Sequence, residues 1–129
     1  MNGKLYNLFA LAMMSVFSLS AQTIVNISDT DLEAGQTYNW TNDNTYVLNG
    51  LVYLEEGGRL NIQAGTVIRA KPNQGDNASA LIITRGAQIY AQGTANQPII
   101  FTAEDDDIND GGDFTAQDRG EWGGLIILG

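Results

Sequence analysis

The chain has 129 residues, with six Lys and Arg against fifteen Asp and Glu, for a formal charge of −9 at neutral pH. It has no His and no Cys. That excludes a Ser-His-Asp triad, a cysteine nucleophile, disulfides, and any zinc, haem or iron–sulfur centre held by those side chains. The acidic balance also argues against nucleic acid as a partner, because phosphate recognition needs clustered Lys and Arg.

Residues 1–21 read as a secretory signal peptide. Lys4 gives a positive start, Leu8 to Leu19 is an apolar run, and Ser20 and Ala21 are small residues at its end. The run is too short to cross a hydrocarbon core of ~30 Å as a helix, which takes about 20 residues. Cleavage leaves a chain starting at Gln22, with no transmembrane span. It removes Lys4 and no acid, so the mature charge is one unit more negative. With no Cys at the cleavage point, a lipid anchor is excluded. An exported chain without disulfide staples fits a bacterial route. The Asn-x-Ser/Thr triplets at Asn26, Asn39 and Asn77 then carry little weight. The expected location is extracellular or on the bacterial outer cell surface.

Residues 22–45 are expected to form an N-terminal cap, with Leu32, Tyr38 and Trp40 covering the first coil. From Tyr46 onward the chain reads as short strands punctuated by Gly, Asn and Asp. The predicted strands are Tyr46–Leu48, Leu51–Leu54, Arg59–Ile62, Thr66–Arg69, Leu81–Thr84, Gln88–Ala91, Ile99–Thr102 and Leu125–Leu128. No window carries apolar residues at helical spacing. Pro72 and Pro98 lie outside strands or at a strand start, where a missing N–H is harmless.

The pieces repeat. Gly58, Gly65 and Thr66 recur as Gly86, Gly93 and Thr94, an offset of 28, and Leu125 restarts the pattern 44 residues after Leu81. Three short strands per period with glycine turns predict a stacked β-solenoid, in which each coil hydrogen-bonds to the next about 4.8 Å away. Inward positions are expected at Leu60, Ile62, Val67, Ile89, Ala91, Ile100 and Ile126. Outward ones are expected at Glu55, Asn61, Gln63, Arg69, Thr84, Gln88, Tyr90 and Thr102. A slip of one residue inverts any of these. A small antiparallel sandwich or jelly roll is the alternative.

Three stretches carry a family resemblance: Gly57 to Arg69, Ser79 to Ala87 with Gln97 to Thr102, and Arg119 to Gly129. They resemble the coils of secreted bacterial right-handed parallel β-helix repeat proteins, surface proteins of the kind exported as type IX secretion cargo. The resemblance implies an all-β, right-handed parallel β-helix of about two and a half coils over residues 46–129, behind the cap. A helix that stops at Gly129 leaves edge groups unpaired. The sequence is therefore expected to be an N-terminal fragment, with the remainder of its own chain covering the open end.

Residues 103–122 form an acidic insertion in the coils. Eight of the fifteen acids lie between 104 and 121, against one cation, Arg119. As a site, oxygen ligands at this density suit Ca²⁺, and the ligands would be Asp105, Asp107, Asn109 and Asp113. The spacing Asp105-x-Asp107-x-Asn109 begins like a calcium loop. It then departs from the EF-hand, with Asp110 where Gly is needed and Ala116 where Glu is needed. As structure, the same run is a solvated, self-repelling loop.

No catalytic residues emerge. Acid–base work on a polysaccharide needs carboxylates brought together across strands, and the outward list holds one acid, Glu55, at a turn. Trp40, Tyr53, Tyr90 and Trp122 are candidates for stacking on sugar rings. The structural alternative puts Trp40 in the cap and uses Trp122 to pin the acidic loop. The expected function is a non-catalytic, adhesin-like scaffold that binds cell-surface or extracellular polysaccharide. The alternative is the N-terminal part of a polysaccharide lyase or hydrolase.

Overall fold

The computed structural model describes residues 21–73 and 75–129, so all but the last residue of the expected signal peptide lies outside the described residues. Ten strands follow in order: β1 (Thr23–Ile27), β2 (Thr37–Trp40), β3 (Asn44–Leu48), β4 (Leu51–Leu54), β5 (Arg59–Ile62), β6 (Val67–Ala70), β7 (Ala80–Ile83), β8 (Gln88–Ala91), β9 (Ile100–Ala103) and β10 (Gly124–Ile127). Each pairs in parallel with the equivalent strand of the next coil. The first sheet runs β1-β3-β6-β9, the second β4-β7-β10 and the third β2-β5-β8. This is a parallel β-helix. Among the described residues no helix is long and apolar enough to cross a membrane.

Segment 22–45 does more than cover an end. β1 pairs with β3 and β2 with β5, so it forms a coil of its own. A 3-10 turn, Asp29–Asp31, stands where later coils have a strand of the second sheet, and the Asp29 carboxylate accepts the Tyr53 N–H of β4 at 3.0 Å. Leu32 and Trp40 are buried and Tyr38 packs against the core, as expected of them.

The coils differ in length. Asn39 faces Asn61, 22 residues on; Asn61 faces Tyr90, 29 on; Val67 faces Ile100, 33 on; and Leu81 faces Leu125, 44 on. The expected offset of 28 is therefore wrong by one. The partner of Gly86 is Gly57, whose N–H reaches the Gly86 carbonyl at 2.9 Å. Both have positive φ, 76° and 79°, and a Cβ on Gly57 would stand 3.2 Å from Gly35 Cα of the coil above. An L side chain is strained in that backbone region, which is why this corner repeats Gly. Gly93 and Thr94 are not counterparts of Gly65 and Thr66. The Thr66 carbonyl accepts the Ile100 N–H, and Gly93 sits in a longer corner.

The interior is a stack of aliphatic rows. Val52, Leu81 and Leu125 form one, Leu54 and Ile83 another, on which Ile127 stands in register but 60% exposed, and Leu60 and Ile89 a third. Leu54, Leu60 and Leu81 are fully buried. Trp40 stacks on Tyr46 with ring centroids 4.6 Å apart, and the Tyr46 hydroxyl accepts the Thr41 N–H. Leu60, Ile62 and Ile89 face inward as expected, while Ala91, in register with Ile62, is exposed. Val67, Ile100 and Ile126 do not face inward: the inward residues of those strands are Ile68, Phe101 and Leu125. Each lies in a run of consecutive apolar residues; for Ile126 nothing polar fixes the phase, whereas Arg69 and Thr102, two residues on from Val67 and Ile100, place those two outward. No buried side-chain polar atom among the described residues lacks a partner. Thr66 Oγ1 donates to the Gln63 carbonyl, and Ser79 Oγ accepts the Gly50 N–H.

Candidate functional site

The fifteen acids all lie outside the strands. In a parallel, in-register stack, equivalent positions recur about every 4.8 Å, and like charges facing each other at that spacing destabilise the pair. Negative charge is therefore placed where the chain leaves the coil. The connections between the first and second sheets hold most of it, above all Glu104 to Glu121. The corners from the third sheet back to the first, residues 41–43, 63–66 and 92–99, hold one acid, Asp43.

On the acidic side, residues 104–123 fill the connection between β9 and β10. Arg69, half-buried on β6, anchors its start: one Nη1 donates to the carbonyls of Glu104, at 2.9 Å, and Asp106. Beyond it the carboxylates serve the loop's own backbone. Asp113 accepts the Asp107 N–H at 2.6 Å, Asp107 accepts from the N–H and side chain of Asn109, and Asp110 accepts the Gly112 N–H. Asp118 accepts from the N–H and hydroxyl of Thr115. These bonds, the backbone one first, hold its carboxyl below the usual aspartate range. Of the four expected calcium ligands, Asp107, Asn109 and Asp113 come together and Asp105 joins none of them. Among the described residues no group of three or more acids stands close enough to hold a metal ion. The expectation of calcium there rests on composition alone.

Beside this loop lies a pocket of about 280 Å³. Trp122 and Phe114 wall it, with Asp118, Glu121 and Thr102 around the rim. Trp122 also packs against the core, so it joins the loop to the coils as expected of a structural aromatic.

The other side is different. On the third sheet the outward residues are Thr37 and Asn39 of β2, Arg59 and Asn61 of β5, and Gln88 and Tyr90 of β8. The Asn61 amide donates to Asn39 Oδ1 at 2.9 Å. Arg59 donates to Gln88 Oε1 at 3.0 Å, and its guanidinium carbon sits 5.1 Å from the centre of the Tyr90 ring. The Tyr90 hydroxyl donates to the same Gln88 oxygen. Tyr90 remains 49% exposed. The result is a flat face of amides, one guanidinium and one aromatic ring, with no carboxylate on any of its strands. Hydroxyl groups are bound by such donors and acceptors, and the ring offers an apolar surface.

Of the four aromatic residues expected to stack on sugars, only Tyr90 stands on this face. Trp40 is taken by the core, Tyr53 is half-buried on the second sheet, and Trp122 belongs to the loop. The sequence signalled Asn61, Gln88 and Tyr90 as outward. It missed Asn39 and the pairing of Arg59 with Tyr90, because both depend on offsets of 22 and 29 that no single repeat length gives.

Three parallel sheets stacked by coils of unequal length, with polar residues laddered outside, define a parallel β-helix repeat protein. Residues 32–129 match the family described as the pectate-lyase-like beta helix domain, and the chain belongs to that family. No curated protein and no solved structure matches the chain.

Proposed function

We propose that the chain is an exported, non-catalytic β-helix scaffold that binds glycan outside the cell or at the bacterial cell surface. The observation that carries this reading is the third-sheet face, where Asn39, Asn61 and Tyr90 stand in register beside Arg59 and Gln88 in a chain of charge −9. The strands bear no carboxylate, so neighbouring coils bring no acid pair together for glycosidic bond cleavage.

The test is retention of the full chain on a panel of immobilised plant and bacterial polysaccharides, with Tyr90→Ala and Asn61→Ala compared. Retention on at least one, weakened about tenfold or more by Tyr90→Ala, is expected. Chain length of the polysaccharide is followed in the same incubation. Retention unaffected by both substitutions, or shortening of the polysaccharide, overturns the reading. Export is tested separately, by recovering the protein from outside the cell with Gln22 at its N-terminus.

A further inference from the structure

At the corner between the third and first sheets, a groove of about 500 Å³ opens against the outer side of β6 and β9. That volume falls within the range of small-molecule sites, about 300–1,000 Å³. Its floor is apolar: Val67 and Ile100, with Pro98 and Ile108 beside them. Its rim is four amide side chains, Gln22, Asn42, Asn96 and Gln97, and none of the residues lining it is charged.

Two of the amides are fixed. Gln22 donates to the Asn42 carbonyl and accepts the Thr45 hydroxyl, and Asn42 donates its amide to the Ala64 carbonyl at 3.0 Å. The Asn96 and Gln97 side chains make no hydrogen bond with another described residue; Gln97 is held only through its backbone, paired with Thr94. The corner is thus rigid where it meets the coil and free where it faces the groove. Each free amide offers two N–H donors and a carbonyl acceptor, which matches neighbouring hydroxyls that both donate and accept. A carboxylated ligand would meet no cation here to offset its desolvation.

We propose that this groove binds a short segment of uncharged oligosaccharide, with Asn96 and Gln97 on its hydroxyls and its apolar face on Val67 and Ile100. This rests on the glycan-binding reading above and adds to it a second site and a ligand class. The experiment is an NMR titration of the full chain, isotopically labelled, with neutral tetrasaccharides built from glucose, mannose, xylose or galactose, and with tetragalacturonate as the acidic probe of equal length. With at least one neutral probe, the side-chain amide signals of Asn96 and Gln97 are expected to move. That probe should bind at least tenfold more tightly than tetragalacturonate. Asn96→Ala with Gln97→Ala should weaken it about tenfold while Tyr90→Ala leaves the Asn96 and Gln97 shifts in place. Equal or tighter binding of tetragalacturonate overturns the proposal. So does a neutral probe that moves Tyr90 and leaves both amides still, a result that spares the scaffold reading. No binding by any neutral probe overturns the groove, and failure on the immobilised polysaccharides as well removes both.

Discussion

The two long sides of this β-helix solve the same problem in opposite ways. On the third sheet residues stack in register and the outward side chains are amides, Thr, Tyr and a single Arg, and its corners to the first sheet add one acid, Asp43. Between the first and second sheets the chain leaves the coil for twenty residues, 104–123, and fills the excursion with acids. The difference teaches where a parallel stack tolerates charge. Two like charges about 4 Å apart repel by about 1 kcal/mol even in bulk water, and a ladder repeats that cost at every coil. An Asn ladder such as Asn39–Asn61 gains a hydrogen bond from the same repetition. A loop outside the ladder carries acids that turn to their own backbone amides.

Substitutions can break this comparison at several levels. The largest effect is expected in the interior on which both sides rest. Leu54→Ala removes a fully buried side chain and should cost about 2–5 kcal/mol in urea unfolding, with protection lost on both sides together.

Arg69→Ala should separate them. It deletes the bonds to the Glu104 and Asp106 carbonyls and should cost about 1–3 kcal/mol. Hydrogen exchange should rise through 104–106 while β2 and β5 stay protected. Equal loss on both sides would mean that the loop and the coils fold as one unit.

Gly57→Ala tests the corner that repeats in every coil. The positive φ and the Gly35 backbone above it should make it destabilising by about 1–2 kcal/mol. Gly86→Ala shares the φ, but there the added methyl meets only the flexible Glu56 side chain of the coil above, so it should cost less.

The smallest effect is a pH dependence. Asp31 is held below the usual aspartate range by the Ser28 hydroxyl and N–H, and Asp118 by the N–H and hydroxyl of Thr115. A folded-state pKa below the unfolded value near ~3.9 gives stability that is present above that pH and lost as pH falls through the folded pKa. NMR titration of the two carboxyls should give midpoints below those of ordinary aspartates, and Asp118→Asn should remove its share of the acid-side loss.

How far the sequence could be read follows from the same contrast. β4, β5 and β8 lie at the positions their alternation predicts, because their outward side chains are polar or half-exposed. The phase failed at Val67 and Ile100 because their outward side is also covered. Val67 is 7% exposed beneath the groove to which Ile108 of the acidic loop contributes, so burial did not mark the outside; Arg69 and Thr102, two residues on in the same strands, did. β1 and β2 escaped notice as coil strands because the Gly57-Gly58 corner is Gly35-Gln36 there and a 3-10 turn replaces the strand of the second sheet. The polar face itself was legible only as separate residues, since a loop of changing length hides which of them stack.

Register is the central claim, because a slip of one residue exchanges the amide face for the core. The chain has no Cys, so pairs of introduced cysteines read it directly. Asn61→Cys with Tyr90→Cys places the two Cα atoms about 4.8 Å apart on one face, within the range a disulfide bridges. Asn61→Cys with Ile89→Cys puts them on opposite faces. The account predicts that mild oxidation closes the first pair and leaves the second open; closure of the second pair in preference to the first would contradict it.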